Sequence, residues 1–337
     1  MTVLTIHSAG PGLTVQDLGR DGWRAKGLAR GGAADRLALL EAAALLGQTT
    51  PLSALEMAGM GGRFSVDAPT RFVLTGARMN ASVEGRVVAS NTSAVLAPGE
   101  VLDVRGAQAG SYGYLAFAGG VIGPEWLGSR SAHLLGGIGN FLNAGTIALG
   151  ADPDVSAGLK RLAVADRLSG GVLRVMPGPQ TELFDAAVRE RFFATVFKRA
   201  AQANRQGLRL EFEGEAFTNE TRDLASDFLT PGDVQMTGDG RPYVLLSECQ
   251  TVGGYPRIGT VIAADLPKAA QAGAGAALRF RAISLVEADA LWESEAMILA
   301  RLEKAVEPLI RSPHDIANLH EYQLVDGATT GDELETE

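Results

Sequence analysis

Leu173-Arg-Val-Met-Pro-Gly-Pro179 repeats in mid-chain the way the chain begins, since Leu4-Thr-Ile-His-Ser-Ala-Gly-Pro11 also leads a strand into a glycine-proline turn. Between them Ala151-Asp-Pro-Asp-Val-Ser-Ala-Gly158 is small and polar, the composition of a linker. The sequence therefore predicts an N-terminal β-rich half over 1–150 and a linker over 151–170. A C-terminal β-barrel half with a C-terminal helix follows over 171–312, then an acidic tail over 313–337. The echo is short and leaves open whether the halves are internal repeats.

Short strand patterns prevail along the rest of the chain. Val3–His7, Arg71–Thr75, Val101–Arg105, Tyr112–Phe117, Val172–Met176, Tyr243–Ser247 and Ala277–Ile283 are mostly bounded by Gly, Pro, Asn or Asp. The fold class this implies is mainly β (α+β), two β-rich halves with a few flanking helices. One helix is predicted from an Asp35 N-cap to a Gly47 stop, with Leu37, Leu40 and Ala44 on the face that should lie on a sheet. A second is expected over about Glu182–Arg199. A third is expected over about Ala288–Val306, with Leu291, Ile298, Leu302 and Val306 as its stripe and Pro308 soon after.

With 337 residues, 46% of them hydrophobic, the chain can bury a sizeable core. Its net charge of −9 shows no clustered basic face of the kind that neutralises phosphates, which argues against nucleic acid as a partner. No apolar run approaches the roughly 20 residues that span a bilayer. The opening Met-Thr-Val-Leu-Thr-Ile-His has no signal-peptide character, and the single Cys excludes an internal disulfide, so no membrane association and a cytoplasmic location are expected. Four histidines without metal-binding spacing argue against a metal site. The glycine clusters at 59–62 and 136–139 complete no phosphate loop, so ATP, if used, is not expected to be bound by this chain alone.

Three stretches carry candidate chemistry. In Gly12–Trp23, Gln16, Asp17 and Arg20 crowd polar groups between glycines; they could position a water or a carboxylate, and an Asp17–Arg20 ion pair would equally explain them. In Gly128–Ala132, Arg130 with Ser129 and Ser131 reads either as an anion site or as a capped turn. The third, Cys249–Leu266, holds the lone thiol, whose apolar setting suits a small core residue better than a nucleophile. After it, Gln250 and Thr251 offer hydrogen bonds, Gly253 and Gly254 permit close backbone approach, and Tyr255 and Arg257 flank a stiffening proline. A hairpin turn accounts for these residues as well as a ligand loop does.

Taken in order, Ser8–Gly22, Arg30-Gly-Gly-Ala-Ala-Asp35, Leu127–Ser131, Met176-Pro-Gly-Pro-Gln180, Asn204–Leu210 and Gln250-Thr-Val-Gly-Gly-Tyr-Pro-Arg-Ile-Gly259 resemble one family. It is variously called allophanate hydrolase subunit 2, biotin-dependent carboxyltransferase, or the C subunit of 5-oxoprolinase. The resemblance spans about residues 3–286. It implies a cyclophilin-like β-barrel architecture and work as one member of an ATP-dependent 5-oxoprolinase, with ATP bound with or by partners like the B and A subunits of that enzyme. The substrate implied is a small amide, 5-oxoproline. The alternatives within the family are a role in a carboxyltransferase or in the urea/allophanate pathway, and a non-catalytic regulatory partner of a related kinase-inhibitor protein. Side-chain chemistry and motif position cast Arg20, Arg130 and Arg257 as anion contacts, with Ser129, Gln235, Thr251, Gly253 and Gly254 beside them. Gln16, Gln250 and Tyr255 become orienting donors and Asp17 the candidate base. Gln235 is retained although the loop Gly232–Thr237 departs from the family pattern. Met297 is followed by isoleucine, not the lysine a biotin carrier needs, so no covalent biotin is expected.

Overall fold

The computed structural model describes residues 1–217 and 224–309; the predicted acidic tail, 313–337, lies outside the described residues. The chain is mainly β, with barrel-like sheets and a few flanking helices. Strands drawn from Thr2–Leu149 form one ten-stranded sheet, and strands drawn from Gly171–Ala282 close a barrel.

In the first sheet two long strands dominate. Thr70–Val83 and Leu102–Phe117 run antiparallel from Phe72↔Phe117 to Val83↔Leu102, with register shifts between Gly76 and Ala81. The two shorter runs predicted at Val101–Arg105 and Tyr112–Phe117 are thus parts of one strand, because its backbone stays paired through the glycine-rich middle that reads as a break. Leu4, Ile6, Phe64, Phe72, Leu74, Leu115 and Phe117 fill the core on one side of this sheet.

On another side lies α1 (Arg36–Leu46), capped as predicted: the Asp35 carboxylate accepts from Ala38 N at 3.2 Å, and Gly47 ends the helix at φ 72°. The predicted apolar stripe understates its burial, since every residue from Ala38 to Leu46 is buried, Glu41 included. Sheet residues Val73, Tyr114 and Ala116 cover part of it, and Leu299 and Leu302 from the C-terminal region cover more.

The barrel runs Gly171–Met176, Arg257–Val261, Asp233–Met236, Pro242–Leu245, Gly207–Glu211, Val196–Asn204, Ala277–Ala282. It closes on itself through the parallel pairing of the first and last of these, from Gly171↔Leu278 to Val175↔Ala282. Alternation fixes which side chains point in: Leu173 and Val175 are buried while Val172 is exposed. An aromatic cluster fills the inside, with Phe192 stacked on Phe280 at 4.8 Å between centroids and Phe197 edge-on to Phe280 at 5.4 Å.

Two helix predictions need correction. Helix α2 covers only Ala186–Ala194, and Val196–Arg199 belongs to a barrel strand, where Phe197 pairs with Leu278 and is fully buried. A β-branched and an aromatic residue facing a closed strand edge override helix continuation there. After α3 (Leu266–Gln271), the single helix predicted over Ala288–Val306 is two: α4 (Leu285–Ala290) and α5 (Glu295–Ala305). Ser294 starts the second, its hydroxyl accepting from Met297 N at 3.2 Å, so the side chain takes over a bond the helix would have made itself. Val306–Pro308 is then a short strand pairing back onto Lys160–Leu162. Of the predicted stripe, Ile298 and Leu302 pack in the cluster that holds α1, but Leu291 is exposed. No described helix is long and apolar enough to cross a membrane.

Candidate functional site

The site is built from one loop pair of the first sheet and two loops of the barrel. Residues 17–20 and 30–33 lie back to back: Arg20 N donates to Arg30 O at 2.9 Å and Ala33 N to Asp17 O at 2.8 Å. They approach so closely that only glycine fits at the crossing. A Cβ at Gly32, whose φ is +79°, would lie 2.5 Å from Gly19 N. Opposite them, Leu229 N donates to Thr251 O at 2.9 Å, holding the barrel segments 229–231 and 249–251 together.

Between these walls is a cavity of about 300 Å³ lined by Arg20, Arg24, Arg30, Arg36, Thr230, Gln250 and Thr251, with Asp21 and Cys249 also at its edge. Arg24 reaches across it, Nη1 donating to Thr230 Oγ1 at 2.8 Å. Arg30 Nε meets Asp21 at 2.9 Å. Arg20 is 1% exposed, donates through Nη2 to Ser131 O, and has no hydrogen-bond partner for Nε or Nη1 among the described residues. Burial lowers the pKa of Arg20 and Arg30, and burial followed by repulsion from Arg30 pushes Arg36 down to about 10. In all three, burial is the first cause and outweighs the attraction of nearby carboxylates such as Asp17 and Asp21.

The cavity adjoins a larger cleft of about 440 Å³ beneath α5. Arg30 and Arg36 line both, and the walls of the cleft are otherwise largely apolar, from Leu37 and Leu40 of α1 to Ile262, Trp292 and Ile298. A concave site with an apolar body and a few convergent charged groups is the usual form of a small-molecule pocket.

The sequence-predicted residues separate into three places. Arg20, Gln250 and Thr251 line the arginine cavity. Asp17, Ser129 and Arg130 lie on the far side of the 17–20 loop, where Asp17 acts as a clasp: Oδ1 accepts from Gly19 N at 2.8 Å, Ser129 Oγ at 2.6 Å and Ser131 Oγ at 2.5 Å, and Oδ2 from Arg130 N at 2.7 Å. It makes no ion pair with Arg20. The Arg130 side chain turns away, its Nε donating to Gly123 O at 3.2 Å with Glu125 at 3.4 Å. Gln16 is buried beside this clasp, donating to Thr14 Oγ1 and Ala132 O.

The third place is the strand pair beyond Thr251. Arg257 is buried with every nitrogen of its guanidinium engaged: Nε with Gln180 Oε1 at 3.2 Å, Nη1 with Asp233 at 3.2 Å and with Phe228 O, Nη2 with Asp227. Gln235 is buried nearby with its Nε2 unpartnered among the described residues. A Cβ at Gly253 would stand 2.7 Å from Leu229 Cδ1, so the glycine makes room for Leu229, and the Gln235 and Gln250 amides lie 3.5 and 3.6 Å from the same point. Gly254 and Tyr255 are exposed. Cys249 packs with Leu229 and Leu245, and burial pushes its thiol up to about 12, far from a thiolate at neutral pH.

Sequence reading misses Arg24, Arg30 and Arg36 as members of one site. A signal is present, because five of the chain's basic residues (Arg20, Arg24, Lys26, Arg30, Arg36) fall within residues 20–36. They form no basic face; the fold gathers the arginines around an internal hollow instead. Among the described residues no group of three or more His, Cys, Asp or Glu is placed to hold a metal ion.

Residues 26–282 match the family described as carboxyltransferase domain, subdomain A and B. The chain belongs to that family. Within it, the chain is 36% identical over 297 residues to the 5-oxoprolinase C subunit of Escherichia coli, covering 85% of this chain and 93% of that protein. It is 30% identical over 299 residues to the 5-oxoprolinase C subunit of Haemophilus influenzae, covering 87% and 96%. The crystal structure of the K. lactis urea amidolyase superposes with a TM-score of 0.78 at 23% identity, over 92% of this chain but only 21% of that one. That likeness is one of fold: this carboxyltransferase-family chain spans about a fifth of the larger enzyme. The family match takes in both the loop carrying Arg30 and Arg36 and the barrel loops facing it.

Proposed function

We propose that this chain is one component of an ATP-dependent 5-oxoprolinase, converting 5-oxo-L-proline, ATP and two molecules of water to L-glutamate, ADP and phosphate together with partners like the B and A subunits of that enzyme. The observation that carries the reading is its likeness, along nearly their whole length, to two proteins named as the C subunit of 5-oxoprolinase. The chemistry of the arginine cavity is compatible with it. A lactam is a stable amide, and opening it with ATP requires an activated carbonyl carbon and stabilisation of the charge that develops on oxygen. Arg20 lines the cavity, itself buried with Nε and Nη1 unpartnered among the described residues, and Gln250 and Thr251 stand on the barrel wall as orienting groups. Asp17 serves the site by fixing the loop that carries Arg20; its carboxylate is already spent on four donors. Gly254 and Tyr255, both exposed, form the outer rim through which substrate or a partner protein reaches Gln250, while Gln235 and Arg257 are buried and support the strand pair that carries it. ATP is held with or by the partners, and this chain carries no covalent biotin.

Co-expression with the candidate partner proteins, followed by an assay of glutamate released from 5-oxoproline, tests the reading. ATP-dependent release that needs all the chains supports it. A stable complex that turns over no 5-oxoproline rules it out.

A further inference from the structure

The arginine cluster already holds one carboxylate that comes from the opposite end of the chain. Glu295, the first residue of α5, stands 3.2 Å from Arg30 Nη2 and in contact with Arg36 Nη2, at the boundary where the arginine cavity meets the apolar cleft. It does not reach deeper: Arg20, nine-tenths buried and more, keeps Nε and Nη1 unpartnered among the described residues. Arg20, Arg24, Arg30 and Arg36 line the cavity with Asp21, while Glu295 reaches Arg30 and Arg36 from the side and Asp17 and Glu248 act on Arg20 from behind. A buried guanidinium with two nitrogens unpartnered, as at Arg20, is costly, and bidentate oxyanions are what guanidinium geometry fits.

We infer that the cavity is a binding site for a small oxyanion, a carboxylate or a phosphate, and that Glu295 is its built-in competitor. The ligand's anionic group takes Arg30 and Arg36 from Glu295 in the cavity that Arg20 also lines, while any apolar remainder lies in the cleft along Leu37 and Ile298. The α4–α5 junction, Leu291–Ser294, is the segment whose movement would release Glu295, for α5 starts there on its own Ser294 cap and not as a continuation of α4. The inference rests on the reading of this cavity as the working site of the chain, but it is tested by binding alone, without turnover.

Isothermal titration of the full chain with three probes decides it: inorganic phosphate, 5-oxo-L-proline, and 2-pyrrolidinone, the neutral lactam lacking the carboxylate. The two anions are expected to bind and the neutral lactam to bind at least tenfold more weakly. Glu295→Gln should tighten anion binding about tenfold by removing the competitor, and Arg20→Met should weaken it at least tenfold. Arg36→Gln repeats the second arm should Arg20→Met fail to fold, as judged by circular dichroism. Equal binding of the neutral lactam, an unchanged or weaker affinity in Glu295→Gln, or no anion binding at all overturns the inference. Phosphate binding without 5-oxoproline binding identifies the phosphoryl group as the oxyanion; the reverse identifies the substrate carboxylate. Anion binding that persists in a complex with no glutamate release sinks the oxoprolinase reading and leaves this one standing.

Discussion

Two arginine clusters lie close together in this molecule and are opposites. In the first, Arg205 of the barrel reaches into the first sheet, with Nε on Glu248 at 2.7 Å, Nη1 on Glu56 and Nη2 on Gly32 O. Glu56 is satisfied in turn by Tyr114 Oη at 2.7 Å and Ala34 N at 2.9 Å. Next to it Arg167, from the linker, grips Glu41 with both terminal nitrogens at 2.7 Å and Asp35 at 2.8 Å, and Gln271 Nε2 adds a bond to the same Asp35 oxygen. In the second cluster, Arg20, Arg24, Arg30 and Arg36 line a hollow, and two nitrogens of Arg20 have no acceptor among the described residues. Residue type does not tell the clusters apart. What separates a fastening from a receptor is whether the protein supplies the counter-charge itself.

That contrast can be broken by experiment. The largest effect is expected for Arg205→Ala, which strands Glu56 and Glu248 without their cation and should cost about 3–5 kcal/mol in chemical denaturation. A loss well under 1 kcal/mol would mean that the cluster fastens nothing. Next is Arg20→Met: in a reconstituted complex it should lower kcat/KM about 100-fold, as loss of one charge-stabilising donor does, with folding stability changed by only about 1 kcal/mol. Equal damage to both would make Arg20 another fastening. Asp17→Asn should cost about 2 kcal/mol of stability by weakening its charge-assisted bonds and lower activity without moving the pH–rate profile. A shifted acidic limb would restore Asp17 to the role of base. The smallest effect concerns pH. Burial opposes the ionised forms of Asp152 and Asp265, but bonds from Arg71 and Arg174 outweigh it and hold both pKa values below the usual carboxylate range. Their contribution is therefore complete above about pH 4 and lost as pH falls through the depressed values, and a denaturation series from pH 6 to 2 on Asp152→Asn should show a flatter acid limb than the wild-type chain.

Much of the architecture is readable from local pattern. The Asp35 cap, the Gly47 stop and the strand alternation at Val172–Met176 depend on neighbours in sequence, and each is found where it is expected. Val196–Arg199 reads as helix because the decisive partner, Leu278, lies far along the chain. The break at Ser294 is hidden by an apolar periodicity that runs across it. For the site, Arg20, Gln250 and Thr251 stand out as polar residues among glycines, and they do line one cavity. Arg130 and Arg257 look equivalent to Arg20 in sequence; only their neighbours in space show one turned towards Glu125 and the other engaged on all nitrogens. Arg24, Arg30 and Arg36 can be picked out from sequence by charge density, yet nothing local says that they converge.

The parallel closure of the barrel has a consequence for how the protein is made. Gly171–Met176 finds its partners only in Arg257–Val261 and Ala277–Ala282. At roughly 5–20 residues per second of synthesis, the intervening stretch of about 100 residues takes about 5–20 s to emerge. Through that interval the first barrel strand hangs from the ribosome with Leu173 and Val175 uncovered and both edges unpaired, the state most open to association with another nascent chain. Nascent-chain truncations ending before residue 277 should therefore recruit chaperones, and those that include Ala277–Ala282 with enough tether to clear the exit tunnel should not.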